Sequence, residues 1–398
     1  MTVPQLAERC AVVVLAALSA IAPALAQATS QHKLPKPQDL DRDLQYVRDA
    51  KTGEIRTVAK GESPSTGPLK DSTAPYTFRS QVTLIAATCS AVAADGSPLR
   101  GLTIPDFRLA ADGATQQISH LDASTEPAHI ALVLDASPSE ARSIADMKAA
   151  ASALSAELAP QDQVAVLSFA GHTHLLLPFS TDRQDLETAL SRVDLMRSLD
   201  EEGSNIYSAV YLAALKLFSG PHAPHGRKAI ILLTDGQDSG LKLTWDPASM
   251  FPPDNSANWL TFEDMVRQLS SAGVEVFAIS TENRPERMTP DWLAAQRGPT
   301  LISRQSRRIG VPAYTIYLAE LVRRVGGDFY FLREMGNLGD AYRRIAARLR
   351  TEYLLGFYPD GATARAGWHN LTIGFSDAAA HQGAHLDCRP SYYVPAGN

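Results

Sequence analysis

Oxygen-bearing side chains cluster in three short stretches of this 398-residue chain. Asp135, Ser137 and Ser139 stand at alternate positions in the first stretch, Ser204 lies in the second, and Asp235 lies in the third. Carboxylate and hydroxyl oxygens are hard ligands, and the set contains no histidine or cysteine, so zinc and copper are disfavoured. The pattern therefore favours a site for Mg²⁺, with Mn²⁺ or Ca²⁺ as further candidates.

The first stretch follows an apolar run of mostly branched residues, Ile130 to Leu134, which is typical of a strand buried on both faces. Residues Glu140 to Leu158 keep one apolar face at helical spacing, and Ser139 is a natural N-cap for that helix. We therefore expect Asp135, Ser137 and Ser139 on a strand-to-helix loop, where the functional groups of open α/β sheets collect.

Strand and helix patterns alternate through the middle of the chain, which predicts an open, mostly parallel sheet with helices on both faces. The predicted strands lie at 130–134, 164–169, 175–179, 229–233, 274–279 and 328–332, and the predicted helices at 140–158, 182–194, 206–219, 261–272, 314–325 and 337–350. Only a few residues join the second strand to the third. These two strands must therefore form a hairpin, which makes the third an antiparallel edge.

The fold class expected from this alternation is α/β, a doubly wound six-stranded sheet in the order 3-2-1-4-5-6. Strands 1 and 4 are then neighbours, and the crevice at their carboxyl ends is the expected ligand site. Asp135 follows strand 1 and Asp235 follows strand 4, so this order brings the two carboxylates together. Ser204 precedes the third helix and can reach the same edge of the sheet.

Segments with β-like patterning flank this block on both sides. Residues 76–126 carry three or four short strands, and residues 351–398 carry three more. Each flank is too small to be stable alone, so we expect one smaller β-sandwich-like domain into which the α/β block, 127–350, is inserted. Residues 27–75 are rich in Pro, Ser, Thr, Lys and Asp, which predicts a flexible linker.

The first 26 residues have the pattern of a secretory signal peptide. Arg9 precedes an apolar stretch, Cys10 to Ala22, and Ala24-Leu25-Ala26 is a small-x-small cleavage site. The apolar stretch is too short for a membrane-spanning helix, so we expect export to the periplasm or out of the cell, with no membrane span. The net charge of −6 gives no support to nucleic-acid binding, which requires a basic face.

Two cysteines remain after that segment, Cys89 in the first β flank and Cys388 in the second. In an oxidising compartment, two thiols in β-like segments can form a disulfide. The alternative is two separate buried thiols, and the sequence leaves both open. A disulfide would tie the two halves of the β domain together.

The oxygen-bearing set resembles the metal-ion-dependent adhesion site (MIDAS) of von Willebrand factor type A (VWA) domains in three parts: Asp135-x-Ser137-x-Ser139, the hydroxyl of Ser204, and Thr234-Asp235-Gly236. The resemblance covers residues 127 to 350. It implies that the three serines hold a divalent cation through their hydroxyls, and that Asp135 and Asp235 hold it directly or through water. Ser204 stands where the family usually has threonine, and Pro138 stands where glycine is commoner.

The β flanks resemble those of exported bacterial VWA-related proteins. This likeness bears on the fold more than on the partner. From the metal site we predict an exported, metal-dependent protein-binding module of the adhesion type and not an enzyme. We expect an aspartate or glutamate of a protein partner to cap the cation, with the loops at 241–260 and 281–312 shaping specificity. The sequence does not define the oligomeric state.

Two alternative functions remain open. A metal-dependent hydrolase of the haloacid-dehalogenase type also begins from an aspartate after the first strand, but it needs a second carboxylate where this chain has Ser137. A Gly-x-Ser-x-Gly elbow around Ser137 and a phosphate-binding loop are also missing from the sequence. The other alternative is a structural or scaffold protein with a vestigial metal site, against which the intact set of oxygen donors argues.

Overall fold

The computed structural model describes residues 34–49, 53–61, 84–94, 99–122, 127–193, 203–239, 260–285, 288, 312–332, 345, 346, 348, 349 and 352–394. The predicted signal peptide lies outside these described residues, as do most of the loops at 241–260 and 281–312 and most of the predicted helix 337–350. The elements below belong to the unit Lys36–Asn398. Among the described helices, none is long and apolar enough to cross a membrane.

The described residues form seventeen strands and five α-helices. The strands are β1 (Gln38–Asp39), β2 (Leu44–Arg48), β3 (Ile55–Ala59), β4 (Ile85–Val92), β5 (Phe107–Ala111), β6 (Ala114–Gln116), β7 (Ile118–Asp122), β8 (Ala128–Asp135), β9 (Gln163–Phe169), β10 (Thr173–Ser180), β11 (Arg227–Thr234), β12 (Glu275–Ser280), β13 (Phe329–Phe331), β14 (Glu352–Phe357), β15 (Gly367–Phe375), β16 (His385–Cys388) and β17 (Ser391–Val394). The helices are α1 (Ile144–Glu157), α2 (Arg183–Ser191), α3 (Ile206–Leu217), α4 (Phe262–Ala272) and α5 (Ala313–Val325).

A mixed sheet of seven strands forms the centre of the α/β block, in the order β1-β10-β9-β8-β11-β12-β13. Strands β9, β8, β11, β12 and β13 pair in parallel, whereas β10 pairs antiparallel with β9, as its short connection predicts. The prediction of six strands is wrong by one, because β1 adds an antiparallel edge strand with Gln38 opposite Leu175.

Helices cover both faces of this sheet, as a parallel sheet requires. Ala131 and Val133 of β8 belong to a core cluster that includes residues of α3, α4 and α5. The alternate residues Ile130 and Leu132 are also fully buried, and α1 packs against β8. Because β8 is buried on both sides, the position of its carboxyl end is firmly fixed.

The segment predicted to be a flexible linker contains the strands β1, β2 and β3, so that prediction is wrong for these three strands. Strands β2 and β3 form a hairpin whose Tyr46 ring lies edge-on to Tyr211 of α3, with ring centroids 5.8 Å apart. Arg48 pairs with Asp264 of α4 through two hydrogen bonds, Nη1 to Oδ1 at 3.0 Å and Nη2 to Oδ2 at 2.6 Å. The polar composition of this segment led to a prediction of disorder. The contacts that order the hairpin come from residues remote in sequence, which local composition does not reveal.

The flanking segments form two four-stranded sheets, β16-β4-β14-β7 and β17-β15-β5-β6. Both sheets contribute to one hydrophobic core, with Ala87 and Leu355 from the first and Leu109 and Leu371 from the second. Each sheet contains strands from both flanks, with β4 between β16 and β14 in the first and β15 paired with β5 in the second, so the flanks form one structural unit. The exact domain boundaries given above stay predictions.

Cys89 of β4 and Cys388 of β16 are paired across these strands and form a disulfide, with Cα atoms 4.1 Å apart. Of the two alternatives that the sequence left open, the structure contains the bonded pair. The bond joins residues 299 positions apart in sequence.

Candidate metal site

The loop after β8 holds the first part of the predicted site. Asp135 is fully buried at the end of the strand, and the backbone N–H of Ser137 donates to its Oδ1 at 2.9 Å. The hydroxyls of Ser137 and Ser139 are hydrogen-bonded to each other at 3.0 Å. The loop thus holds one carboxylate and two hydroxyls close together, as the spacing predicts.

The chain continues as a 3₁₀ turn, Pro138–Arg142, before α1 begins at Ile144. The prediction of a helix from Glu140 with Ser139 as its cap is therefore wrong at its start. Pro138 occupies the first turn, where its fixed φ and missing N–H are tolerated. This tighter turn orients the side chains that follow Ser139.

Strand β11 delivers the second part of the site. Leu134 of β8 lies opposite Leu233 of β11, so Thr234 and Asp235 reach the same edge of the sheet as Asp135. The hydroxyl of Thr234 donates to Asp135 Oδ2 at 2.6 Å and accepts from the N–H of Gly236 at 3.0 Å. Thr234 is a positioning residue for Asp135, a role that the sequence pattern did not assign to it.

Gly236 is required where Thr234-Asp235-Gly236 turns away from the strand. Its φ is +89°, which L side chains rarely adopt, and a Cβ there would lie 2.8 Å from Leu318 Cδ1. The N–H of Gln237 donates to Asp235 Oδ1 at 2.8 Å and fixes that carboxylate.

Ser204 reaches the site from the residues just before α3. Its hydroxyl donates to Asp135 Oδ2 at 3.3 Å, and its side chain is buried. Ser239, which was not among the predicted residues, fixes the backbone here. Its Oγ accepts from the N–H of Ser204 at 2.6 Å, and its own N–H donates to the carbonyl of Ser204 at 2.7 Å.

The five predicted site residues therefore come together at one edge of the sheet, at the ends of β8 and β11 and before α3. A sixth residue, Glu140, joins them although it was not predicted. Carboxylate oxygens of Asp135, Glu140 and Asp235 all lie within 4.8 Å of one another. Glu140 is 1% exposed, because the 3₁₀ turn directs it inward and not onto a helix surface.

Burial in the site disfavours the ionised forms of Asp135 and Glu140. Burial raises the pKa of Asp135 to about 6, although hydrogen bonds from Ser137 and Thr234 oppose the shift. Burial also raises the pKa of Glu140 to about 7, and the charges of Asp135 and Asp235 raise it further, whereas hydrogen bonds from the side chains of Thr281 and Ser143 oppose the shift. Close, buried carboxylates of this kind gain stability from a bound cation.

A groove with a volume of about 430 Å³ opens beside the site. Its lining includes Ser139, Arg142, Asp235, Gln237 and Glu282. Ser139 and Arg142 are exposed, so a ligand can approach the site from solvent. The buried carboxylates thus lie next to an accessible surface.

The donors fit a hard divalent cation. Two oxygens on opposite sides of Mg²⁺ lie about 4.2 Å apart, and on Ca²⁺ about 4.6–5.2 Å apart, taking twice the usual bond lengths. Adjacent oxygens on Mg²⁺ lie closer, about 3 Å apart, so the three carboxylates, whose oxygens lie within 4.8 Å of one another, would draw together around the ion. Buried Oε2 of Glu140 has no hydrogen-bond partner among the described residues, which leaves an oxygen available to an ion.

Residues 129–290 match the family model of the von Willebrand factor type A domain. The domain at these residues is thus of the VWA type, and Asp135, Ser137, Ser139, Ser204 and Asp235 all lie within the matched range. A comparison with curated proteins gives no match.

Three solved structures illustrate the similarity. An aerotolerance-related membrane protein from Bacteroides fragilis is 19% identical, with a TM-score of 0.37 over 56% of this chain and 98% of that chain. A von Willebrand factor type A protein from Catenulispora acidiphila is 13% identical, with a TM-score of 0.37 over 75% of each chain. Proximal thread matrix protein 1 from the mussel byssus, described with a zinc-occupied MIDAS motif, is 16% identical, with a TM-score of 0.34 over 59% of this chain and 48% of that chain.

Proposed function

We propose that the VWA domain binds a divalent cation, Mg²⁺ in the resting protein, and uses it to hold a carboxylate of a protein partner. The ligands are the five residues predicted from the sequence: Asp135, Ser137, Ser139, Ser204 and Asp235. One observation carries this proposal. Asp135 receives hydrogen bonds from two other chain segments while the carboxylate of Asp235 lies within 4.8 Å of its own.

The groove beside the site supports a partner of acidic chemistry. Arg142 is exposed on its lining, and a guanidinium can pair with an incoming aspartate or glutamate. We assign the protein a binding role and not a catalytic one. On the basis of the predicted signal peptide, we propose that it acts in the periplasm or outside the cell.

Thermal unfolding with and without Mg²⁺ tests the metal site. A ligand that binds only the folded state stabilises it by about 2.7 kcal/mol at about 100 times its Kd. We expect Asp235→Ala to abolish the Mg²⁺-dependent rise in Tm. Asp146→Ala, which removes an exposed carboxylate from α1, is the matched control and should respond like the wild type. An unchanged response in Asp235→Ala would contradict the proposal and favour a vestigial site.

Affinity capture tests the partner. We expect a protein retained in Mg²⁺ to be released by EDTA and not to bind Asp235→Ala at all. Blocking the partner's carboxylates by amidation should also abolish retention. A partner that survives chelation unchanged would count against binding through the cation.

A further inference from the structure

Glu140 holds a position in the site that the MIDAS pattern does not require. The N–H of Glu140 donates to the carbonyl of Ser137 at 3.1 Å, and the N–H of Ser143 donates to the carbonyl of Glu140 at 2.9 Å. These two bonds fix the 3₁₀ turn. The turn buries the Glu140 side chain beside Asp135 and Asp235, within the 4.8 Å spacing given above.

The two oxygens of Glu140 have different surroundings. Oε1 accepts a hydrogen bond from the hydroxyl of Thr281, the residue after β12. Oε2 is buried, and within the described part of the chain it has no hydrogen-bond partner. A carboxylate oxygen that is buried without a partner is costly, and it is usually paired with a cation or a donor. A cation held by Asp135 and Asp235 would provide that missing partner.

We propose that Glu140 is a further ligand of the cation and closes the site from within the chain until a partner's carboxylate replaces it. This inference rests on the proposed function, because it requires the cation site to exist. It adds regulation of that site: the chain's own acid competes with the partner for the ion.

A count of charges explains why replacement is required. Asp135, Glu140 and Asp235 together carry three negative charges when ionised, against two positive charges on the cation. A partner's carboxylate added to this set would bring a fourth negative charge into a buried site, which is unfavourable. Exchange with Glu140 keeps the count unchanged. Glu140 itself lines the groove beside the site, so the structure has space into which its side chain can withdraw.

Mn²⁺ binding to the whole protein, followed by electron paramagnetic resonance and water-proton relaxation, tests the role of Glu140. Glu140→Gln keeps the volume of the side chain and an oxygen that can accept from Thr281, so the fold should be retained. Removal of an outer-shell partner lowers metal affinity about tenfold or more. Because Glu140 is proposed to bind the ion directly, we expect Mn²⁺ affinity to fall by at least this factor. In Glu140→Gln, water-proton relaxation should report more water bound to the ion than in the wild type. Acetate should displace that water at a lower concentration than in the wild type.

Glu282→Gln is the matched control, because it removes the same charge from the lining of the same groove. It should bind Mn²⁺ and acetate like the wild type. Wild-type Mn²⁺ affinity and water content in Glu140→Gln would overturn the inference. Asp135→Asn separates this outcome from failure of the proposed function: loss of Mn²⁺ binding in that variant upholds the metal site, whereas unchanged binding would contradict both proposals.

Discussion

At the scale of single residues, Thr234 connects the two strands that carry the acids of the site. Its hydroxyl donates to buried Asp135 and accepts from the N–H of Gly236, so it serves both the carboxylate and the turn. The residue types and spacing in the sequence do not identify Thr234 as a positioning residue. It follows from the register of β11 against β8, which places Thr234 next to Asp135.

We therefore expect Thr234→Val to cost about 1–3 kcal/mol of stability, because it leaves buried polar groups unsatisfied. Mg²⁺ affinity should fall about ten- to a hundredfold, as is typical when a group that orients a metal ligand is lost. Denaturant unfolding and calorimetric titration with Mg²⁺ measure the two effects.

Thr173→Val is the matched control, because Thr173 is fully buried in β10 and its hydroxyl has no hydrogen-bond partner among the described residues. It should leave both stability and Mg²⁺ affinity close to those of the wild type. Equal effects of the two substitutions would contradict a specific role for Thr234.

At the scale of secondary-structure elements, the β2–β3 hairpin is held to α4 by a buried ion pair. The Arg48 and Asp264 side chains are 4% and 1% exposed. Burial raises the pKa of Asp264, but hydrogen bonds from Arg48 and Thr261 outweigh it and hold the pKa below its usual value of 3.8. A depressed pKa contributes stability above the unfolded-state value, and this stability is lost as the pH falls through the folded-state value.

Arg48→Met should therefore destabilise the protein at neutral pH, by up to about 3–5 kcal/mol, the cost of leaving a buried charge without its partner. Arg267, which also pairs with Asp264, will reduce this cost. The variant should also lose less stability than the wild type below about pH 4, since its Asp264 pKa is less depressed. Denaturant unfolding over a range of pH measures both effects.

Arg56→Met serves as the control in the same hairpin, because Arg56 is exposed on β3. It should leave the unfolding free energy and its pH dependence unchanged. If Arg48→Met matched this control, the hairpin would not depend on the ion pair.

At the scale of the whole molecule, the disulfide lies beside the contact between the β domain and the VWA domain. Asp387, next to Cys388, pairs with Arg348, and Thr88, next to Cys89, donates to Glu275 of β12. The disulfide therefore joins β4 and β16, the two strands whose side chains Thr88 and Asp387 contact the α/β block.

The chain-entropy model assigns a disulfide across a loop this long a stabilisation on the order of 5 kcal/mol. We expect reduction, or the double substitution Cys89→Ser and Cys388→Ser, to lower the free energy of unfolding by an amount approaching this value. Mass spectrometry of a non-reduced digest should find the two cysteine peptides joined. Alkylated thiols at both positions would contradict the bond.

Local patterns were sufficient to predict the strands that carry the site. The apolar run before Asp135 and the matching run before Asp235 identified β8 and β11, and strand order then brought their carboxyl ends together. The hairpin containing Arg48 was missed because its anchor, Asp264, lies more than 200 positions away in sequence. Glu140 was missed because its side chain points inward from a 3₁₀ turn. The helical spacing of apolar residues in this stretch predicted an α-helix and gave no sign of that turn.

The proposed function requires Asp135 and Asp235 to hold a cation at the carboxyl ends of β8 and β11. A crystal structure of the protein soaked in Mn²⁺, with anomalous diffraction recorded at the manganese edge, tests it most directly. We expect an anomalous peak among Asp135, Ser137, Ser139, Ser204 and Asp235, with a carboxylate oxygen of Glu140 also bound to the ion. A structure with full Mn²⁺ exposure and no peak at this edge of the sheet would contradict it.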